Sequence, residues 1–483
     1  MSGVPGVDPE AVVVGSGPNG LAAAIALARA GVSVLVVEAH EEPGGGTRSA
    51  ELTLPGFVHD ICSAIHPLGL ASPFLRTLPL ADYGLSWTYS PTPLAHPFDD
   101  GRAATIEQDL EATAAGLGRD ERSYLRLMRP LVGAWQGLMD DYLGPLPLPP
   151  RHPIATTRMG LLSIWPAVVL ARGAFKSPEA RAVFSGMAGH SMMPLEWPAT
   201  GAFGLMLATL AHAVGWPMAR GGSQSIASAL VAYLQSLGGK VETGHRVTRL
   251  SELPSAKAVL LDLTPRGVLA VAGDRLAPGY RRALERYRYG PGICKVDWAL
   301  DAPIPWQAEV CRRAATVHLG GTMEEIAAGE RTVWQGKVPV HPLILLAQQS
   351  LFDASRAPAG KHTAWAYCHV PNGHSGDVSA AIEAQVERFA PGFRDRILAR
   401  HVYTADQMEA YNPNYVGGDI NGGVQDLRQL FTRPAIRLNP YRIPAGDRQA
   451  PRLYLCSSAT PPGGGVHGMC GFHAAGTVLR DLN

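Results

Sequence analysis

Three glycines and one acid are the first residues whose types and spacing carry chemistry. Gly15, Gly17 and Gly20 stand in GSGPNG with Ser16, Pro18 and Asn19 between them, and Glu38 follows. In a turn from strand to helix, the first glycine permits the bend and the second lets the backbone approach a pyrophosphate. The third lets helix and strand pack closely. The diphosphate then lies on free N–H groups at the helix N-terminus, where the macrodipole also favours negative charge. An acid at the end of the next strand, about twenty residues on, takes two ribose hydroxyl hydrogen bonds. This is dinucleotide-binding chemistry, and the motif by itself does not separate NAD from FAD.

The elements that must position these residues are legible around them. Residues 12–14 are a β-branched run, 15–20 a tight turn and 21–30 an Ala/Leu-rich helix stopped by Gly31; 32–37 form a second buried strand closing on Glu38. The first forty residues therefore spell β-α-β. A glycine-rich turn alone also occurs for structural reasons, but strand, helix and acid together make the nucleotide reading the better one.

A glycine cluster, EEPGGGTRS, lies just beyond the acid. The fingerprint, Glu38, and the turn Gly44, Gly45, Gly46 with Thr47, Arg48 and Ser49 resemble the amine-oxidase and phytoene-desaturase superfamily. GFVHDICSAIHP near Phe57, ARGGSQSIASAL near Gly221 and the C-terminal SSATPPGGGVHGMCGFHAAG extend the likeness to both ends and the middle of the chain. It is nearest to the phytoene-desaturase-like oxidoreductases that include the pyridine nucleotide-disulfide oxidoreductase domain-containing proteins. The resemblance implies FAD as cofactor. It implies an α/β fold with a Rossmann-like FAD-binding domain and an inserted α+β substrate domain. It also places Gly464, Gly465, Val466 and His467 against the flavin ring, where N–H donors at a helix start stabilise charge on reduced flavin; a plain helix cap is the alternative.

Two departures stand out. Many relatives carry Gly-Asp after the last strand, with the Asp on the ribityl chain, whereas this chain has Ser457 and Ser458. A hydroxyl makes a neutral bond there, weaker than a charge-assisted one. Relatives also often carry Arg or Lys in the first glycine turn; here Gly46 stands there and Arg48 follows two residues later, so that contact has moved to Arg48 or is absent.

The expected layout is an FAD-binding part over 8–71, a largely helical substrate part over 72–216 with Pro-rich breaks such as PLPLPP, and a return over 217–289. A mixed α/β substrate part over 290–441 and a closing FAD-binding part over 442–483 complete it. The uncharged stretch 199–219 reads as a buried helix. For the redox step, His467 is the leading acid or base. His473 and Cys470 beside it, and His59, Asp60, Cys62 and His66, are weaker candidates that fit hydrogen-bonded core positions equally well. Tyr411, Asn412 and Asn414 form a polar loop that lines a substrate cavity or is an ordinary turn. Trp165, Trp197, Phe203, Met206 and Trp216 are candidate lining residues, or plain core. No metal-ligand spacing and no Ser-His-Asp order emerge.

Composition sets the outer bounds. With 42 basic and 41 acidic residues the chain has no field to recruit nucleic acid. Charged residues are only 17% of it, which fits an apolar cavity, a membrane-facing patch or simple dilution by Gly and Ala. The six cysteines show no disulfide framework, and the opening MSGVPGVDPE lacks the features of a leader. A cytoplasmic location is expected, with peripheral membrane contact and the oligomeric state left open. The expected reaction is dehydrogenation of an apolar small molecule at a C–C or C–N bond by hydride transfer to flavin N5, with oxygen, a quinone or a nicotinamide as electron acceptor. The rival readings are a flavin-bound regulatory protein with vestigial redox chemistry and a redox-neutral flavin-dependent isomerase.

Overall fold

The computed structural model describes residues 8–145, 149–446 and 451–482; most of the opening run read for a leader and the middle of PLPLPP lie outside these. The first strand, Ala11–Val14, is buried along its whole length. An apolar run of this kind suits the centre of a parallel sheet, where helices cover both faces. Among the described residues it is the middle of five parallel strands in the order Arg452–Leu455, Ala258–Leu261, Ala11–Val14, Val34–Val37 and Lys240–Glu242. The second strand begins at Val34 rather than at residue 32. The N–H groups of Ala30, Gly31 and Val32 are used in closing the preceding helix, with Gly31 at the φ of 84° that such a terminus requires.

That helix, Pro18–Arg29, has proline in its first turn, where no N–H is lost and φ is already set. It packs along the terminal helix Met469–Leu482. The approach is so close that a Cβ on Gly471 would lie 1.8 Å from the carbonyl oxygen of Asn19.

A second sheet runs in the order Ile397–Tyr403, Gly292–Leu300, His362–Val370, Ile344–Ala347, Ala314–Leu319, Thr92–Pro97 and Ala103–Ile106. Its pairs are antiparallel except Ala314–Leu319 with Thr92–Pro97. Strands from both insertions thus share one sheet, and the mostly helical first insertion contributes its last two strands. The sheet has two unlike faces, as a period of two demands. Cys294, Val296, Trp298, Val317, Leu346 and Cys368 face an apolar core completed by Ile382, Val386 and Phe389 of the helix Ser379–Phe389. The intervening residues Lys295, Asp297, Thr316, His318, Trp365 and Tyr367 share the opposite face. The 199–219 stretch is the buried helix Thr200–Val214; among the described residues no single helix is long and apolar enough to cross a membrane.

One carboxylate joins the two sheets. Asp60 ends the small hairpin strand Val58–Asp60 and is fully buried. Its Oδ1 accepts hydrogen bonds from Ser49 Oγ at 2.8 Å and from the Ser223 N–H at 2.7 Å, both on the parallel-sheet side. Its Oδ2 accepts from Gln349 Nε2 at 3.3 Å and pairs with the guanidinium of Arg356, both beyond the strand Ile344–Ala347 of the second sheet. Burial pushes this carboxyl up, but Arg356 and the donors together outweigh it and hold it at about 2. Asp60→Ala leaves the buried Arg356 guanidinium with only the Asp353 carboxylate, 3.9 Å away, and is expected to cost about 3 to 5 kcal/mol in urea unfolding. Because the folded value lies below the unfolded one, the stabilisation is full above about pH 4 and is lost as pH falls towards 2. The wild type and the variant should therefore converge on acidification, and equal unfolding midpoints at neutral pH would refute the assignment.

Candidate active site

The N-terminus of Pro18–Arg29 opens into a cavity of about 1470 Å³ that reaches from the glycine turn to the second sheet. Single-ligand pockets are typically ~300–1,000 Å³, so this one has room for two molecules. Gly15, Ser16, Gly17, Pro18 and Asn19 line one end. Gly20 does not; a Cβ there would lie 2.1 Å from the Gly15 carbonyl oxygen, so its role is the close packing expected of the third glycine. The second glycine turn lies directly against the first, with a Cβ on Gly45 falling 3.0 Å from Gly17 Cα. Gly45, Gly46 and Arg48 line the cavity. Gly44 and Thr47 stand behind and brace the turn, Gly44 N–H donating to Ser16 Oγ at 3.2 Å and Thr47 Oγ1 to the Gly44 carbonyl at 2.8 Å.

Glu38 is already partly engaged. Its Oε2 accepts from the N–H and the hydroxyl of Ser16, and its Oε1 accepts from the His40 N–H at 2.8 Å, which leaves Oε1 lone-pair capacity for a ribose hydroxyl. The departure at Gly46 has a steric counterpart: a Cβ there would lie 2.5 Å from the Tyr415 hydroxyl, which would have to move to admit any side chain. Arg48 instead is 4% exposed, has Nε and Nη1 without hydrogen-bond partners, and stacks with its guanidinium carbon 4.8 Å from the Tyr411 ring centre. A buried cation with free donors on a cavity wall awaits an anionic or polar group.

At the C-terminal turn, Ser458, Gly464, Gly465, Val466 and His467 all line the cavity. Ser457 faces away, its hydroxyl donating to the Leu263 carbonyl at 2.7 Å. His467 does not match its expected role as a base. Its Nδ1 accepts from the Met469 N–H at 3.0 Å, capping the terminal helix, so the ring proton sits on Nε2. Burial lowers its pKa to about 4, and Nε2 has no partner. His467 is thus a neutral N–H donor presented to the cavity. His66, lowered to about 4 by burial, also lines it. The Ser63 hydroxyl donates to the Gly46 carbonyl at 2.9 Å, so His66 Nε2 donates to Ser63 Oγ at 3.2 Å.

Other expected residues divide cleanly. Cys62, Phe203, Met206, Trp216, Tyr411, Asn412 and Asn414 line the cavity. His59, Asp60, Cys470 and His473 do not: His59 lies 3.5 Å from Asp297, Cys470 sits against the carbonyls of Thr460 and Gly463, and His473 bonds the Leu143 carbonyl. Trp165 and Trp197 also miss it, being 51% and 36% exposed in the connections before the helices Ala167–Ala174 and Thr200–Val214.

Three cavity or near-cavity groups escaped the sequence reading. Arg433, fully buried on the cavity wall, donates to the carbonyls of Ser458 and Val424. Lys295 and Asp297 form a buried ion pair on the polar face of the second sheet, with Lys295 Nζ 5.5 Å from the ring centre of Trp365. Asp262 follows the strand Ala258–Leu261 and accepts from the Gly20 N–H at 2.9 Å, occupying part of the helix N-terminus. An acid closing an apolar strand was the available signal, the same one that marks Glu38. Burial pushes Asp262 up to about 7, against the Gly20 hydrogen bond and with the Glu38 charge adding. The folded protein therefore keeps a proton that the unfolded chain releases near pH 4, so this group makes stability fall between about pH 4 and 7. Asp262→Asn is expected to remove that slope, a difference of a few kcal/mol across the window. Parallel pH profiles of urea unfolding for variant and wild type would contradict it.

Residues 13–78 match the NAD(P)-binding Rossmann-like domain family. The chain is 26% identical to mouse pyridine nucleotide-disulfide oxidoreductase domain-containing protein 2, over 98% of this chain and 94% of the relative. It is 30% identical to the hydroxyneurosporene desaturase of Cereibacter sphaeroides over half of each chain. Its fold is similar to that of putrescine oxidase solved with putrescine bound, with a TM-score of 0.61 at 17% identity over 99% of both chains. The chain is therefore an oxidoreductase related to the phytoene and hydroxyneurosporene desaturases, with the α/β fold of the amine oxidases.

Proposed function

We infer that the protein is an FAD-dependent oxidoreductase that dehydrogenates an apolar molecule at a C–C or C–N bond. The observation that carries this reading is the cavity's division into two unlike parts. One end has two glycine turns in backbone contact, an open helix N-terminus and the unpartnered donors of buried Arg48. The other has apolar walls from Leu143, Met159, Phe203, Met206 and Leu207.

The residues fit FAD. The helix N-terminus suits a diphosphate, Glu38 Oε1 a ribose hydroxyl, and Arg48, Ser458 and the Nε2–H of His467 suit the polar edge of a flavin and its side chain. FAD, when bound, supplies the two-electron acceptor for the substrate hydride. The chain's own part is to bind, orient and exclude water, for which apolar walls and neutral histidines are suited. Access for an apolar substrate is supported by the helix Pro153–Ser163. Met159, Gly160 and Ser163 from it line the cavity, while Ile154, Leu161 and the following Ile164 and Trp165 are exposed, a surface that fits contact with a membrane periphery.

Purified protein is expected to be yellow, to bleach on anaerobic photoreduction and to recover on addition of an oxidant. Gly17→Trp, whose Cβ would lie 2.8 Å from Asp262 Oδ2 at this end of the cavity, is expected to block the proposed diphosphate position and to leave the protein folded by circular dichroism but free of flavin absorbance. Full retention of colour in the variant would contradict this placement, and a flavin that cannot cycle would remove the enzymatic reading.

A further inference from the structure

The sheet end of the cavity is apolar in outline but carries polar groups that nothing in the protein satisfies. Strand register sets two rows on one face of the second sheet: Thr316, Ala347 and Trp365, then His318, Leu345 and Tyr367. Of these, Thr316, Leu345, Ala347, Trp365 and Tyr367 line the cavity. Thr316 Oγ1 and Trp365 Nε1 are buried without partners, and the Tyr367 hydroxyl makes no hydrogen bond among the described residues. His190, in the turn Gly189–Ser191, lines the same region, with Nε2 3.2 Å from His318 Nε2 and Nδ1 free of protein partners.

We propose that this end of the cavity is a substrate subsite for a neutral oxygen function, a hydroxyl or a carbonyl, on an otherwise apolar molecule. The inference rests on reading the cavity as the substrate site. A pure hydrocarbon offers no partner to Thr316, Trp365, Tyr367 or His190, whereas an oxygen function can accept from Trp365 Nε1 or Tyr367, or exchange a bond with Thr316 or His190.

The charge state of the wall excludes ionised groups. His190 is lowered to about 3 and His318 well below its ordinary value, both first by burial, with His369 lowering His190 further and His190 and His96 lowering His318. Two neutral rings sharing one Nε2–H···Nε2 bond leave His190 Nδ1 as either donor or acceptor, according to tautomer. No cation faces a carboxylate here, since Lys295 is bound by Asp297. No anion faces an ammonium, since both oxygens of Glu330 are held by His369 Nδ1 at 2.8 and 2.9 Å. Among the described residues no group of side chains is placed to hold a metal ion.

The test is calorimetric binding of decane, decan-1-ol, decan-2-one, decylamine and decanoate to the flavin-loaded enzyme, held anaerobic so that no turnover intervenes. The alcohol and the ketone are expected to bind about tenfold or more tighter than decane, and the amine and the carboxylate more weakly than either. Thr316→Val and Tyr367→Phe preserve shape; each should weaken the alcohol or the ketone by about three- to tenfold and leave decane unchanged. His190→Leu should do the same. Decane binding within twofold of decan-1-ol, variants that weaken all five ligands alike, or no binding of any of them would overturn the subsite. Flavin content and photoreduction, read on the same samples, report separately on the cofactor reading.

Discussion

A charge with no access to water sets the geometry of the whole cavity. The two sheets share no strand; an apolar cluster that includes Ala11 and Val13 of one and Leu94 and Ile106 of the other joins them, and Asp60 adds two donors from each side. A buried carboxylate missing its partners is strongly penalised, so any shift of one sheet against the other that lengthens these bonds is opposed steeply. The hairpin that carries Asp60 follows the second glycine turn, and Cys62, Ser63 and His66 come immediately after it. Holding Asp60 therefore holds the turn and the wall on either side of it.

The second sheet shows how one period-two pattern serves two ends. Its outer rows are apolar and bury against a helix; its inner rows are polar and meet the hairpin and the cavity. On that inner face the polar groups fall into two sets. Lys295 is paired with Asp297, and His59 bonds Thr53 through Nε2 while its Nδ1 lies 3.5 Å from Asp297. Thr316, Trp365 and Tyr367 reach the cavity wall and are not paired. Arg356 and Arg48 both keep Nε and Nη1 without hydrogen-bond partners, but Arg356 is neutralised by Asp60 behind the wall, whereas Arg48 lines the cavity and stacks on Tyr411.

The parts readable in the sequence are those whose cause is local. The strand, glycine turn, helix and acid at the N-terminus, and the strand, turn and helix at the other end, follow from backbone sterics and short-range burial, and the structure has them within a few residues. The helical role of His467 was local too: its ring caps the helix two residues on, and that single bond turns an expected base into a donor. What escaped needed distant partners. Arg433 is defined by the carbonyls of Ser458 and Val424, and Lys295 by a face that only strand pairing creates. The error over Trp165 and Trp197 has the same root, since a tryptophan in sequence carries no sign of whether the connection that holds it faces inward or out.

Glu38 and Asp262 put the limit most sharply, because both are acids closing buried parallel strands on either side of Ala11–Val14. Glu38 receives hydrogen bonds from Ser16 and His40 and remains an acceptor for sugar hydroxyls. The Asp262 carboxylate accepts only the Gly20 backbone N–H among the described residues and is drawn up to about 7 by burial and its neighbour's charge. Ionised, it partly neutralises the helix N-terminus and competes with any other anion there; neutral, it leaves the dipole and the remaining N–H groups free. The burial that discourages its charge therefore acts in favour of a bound diphosphate, and a residue that looks adverse to anion binding by type becomes compatible with it by environment.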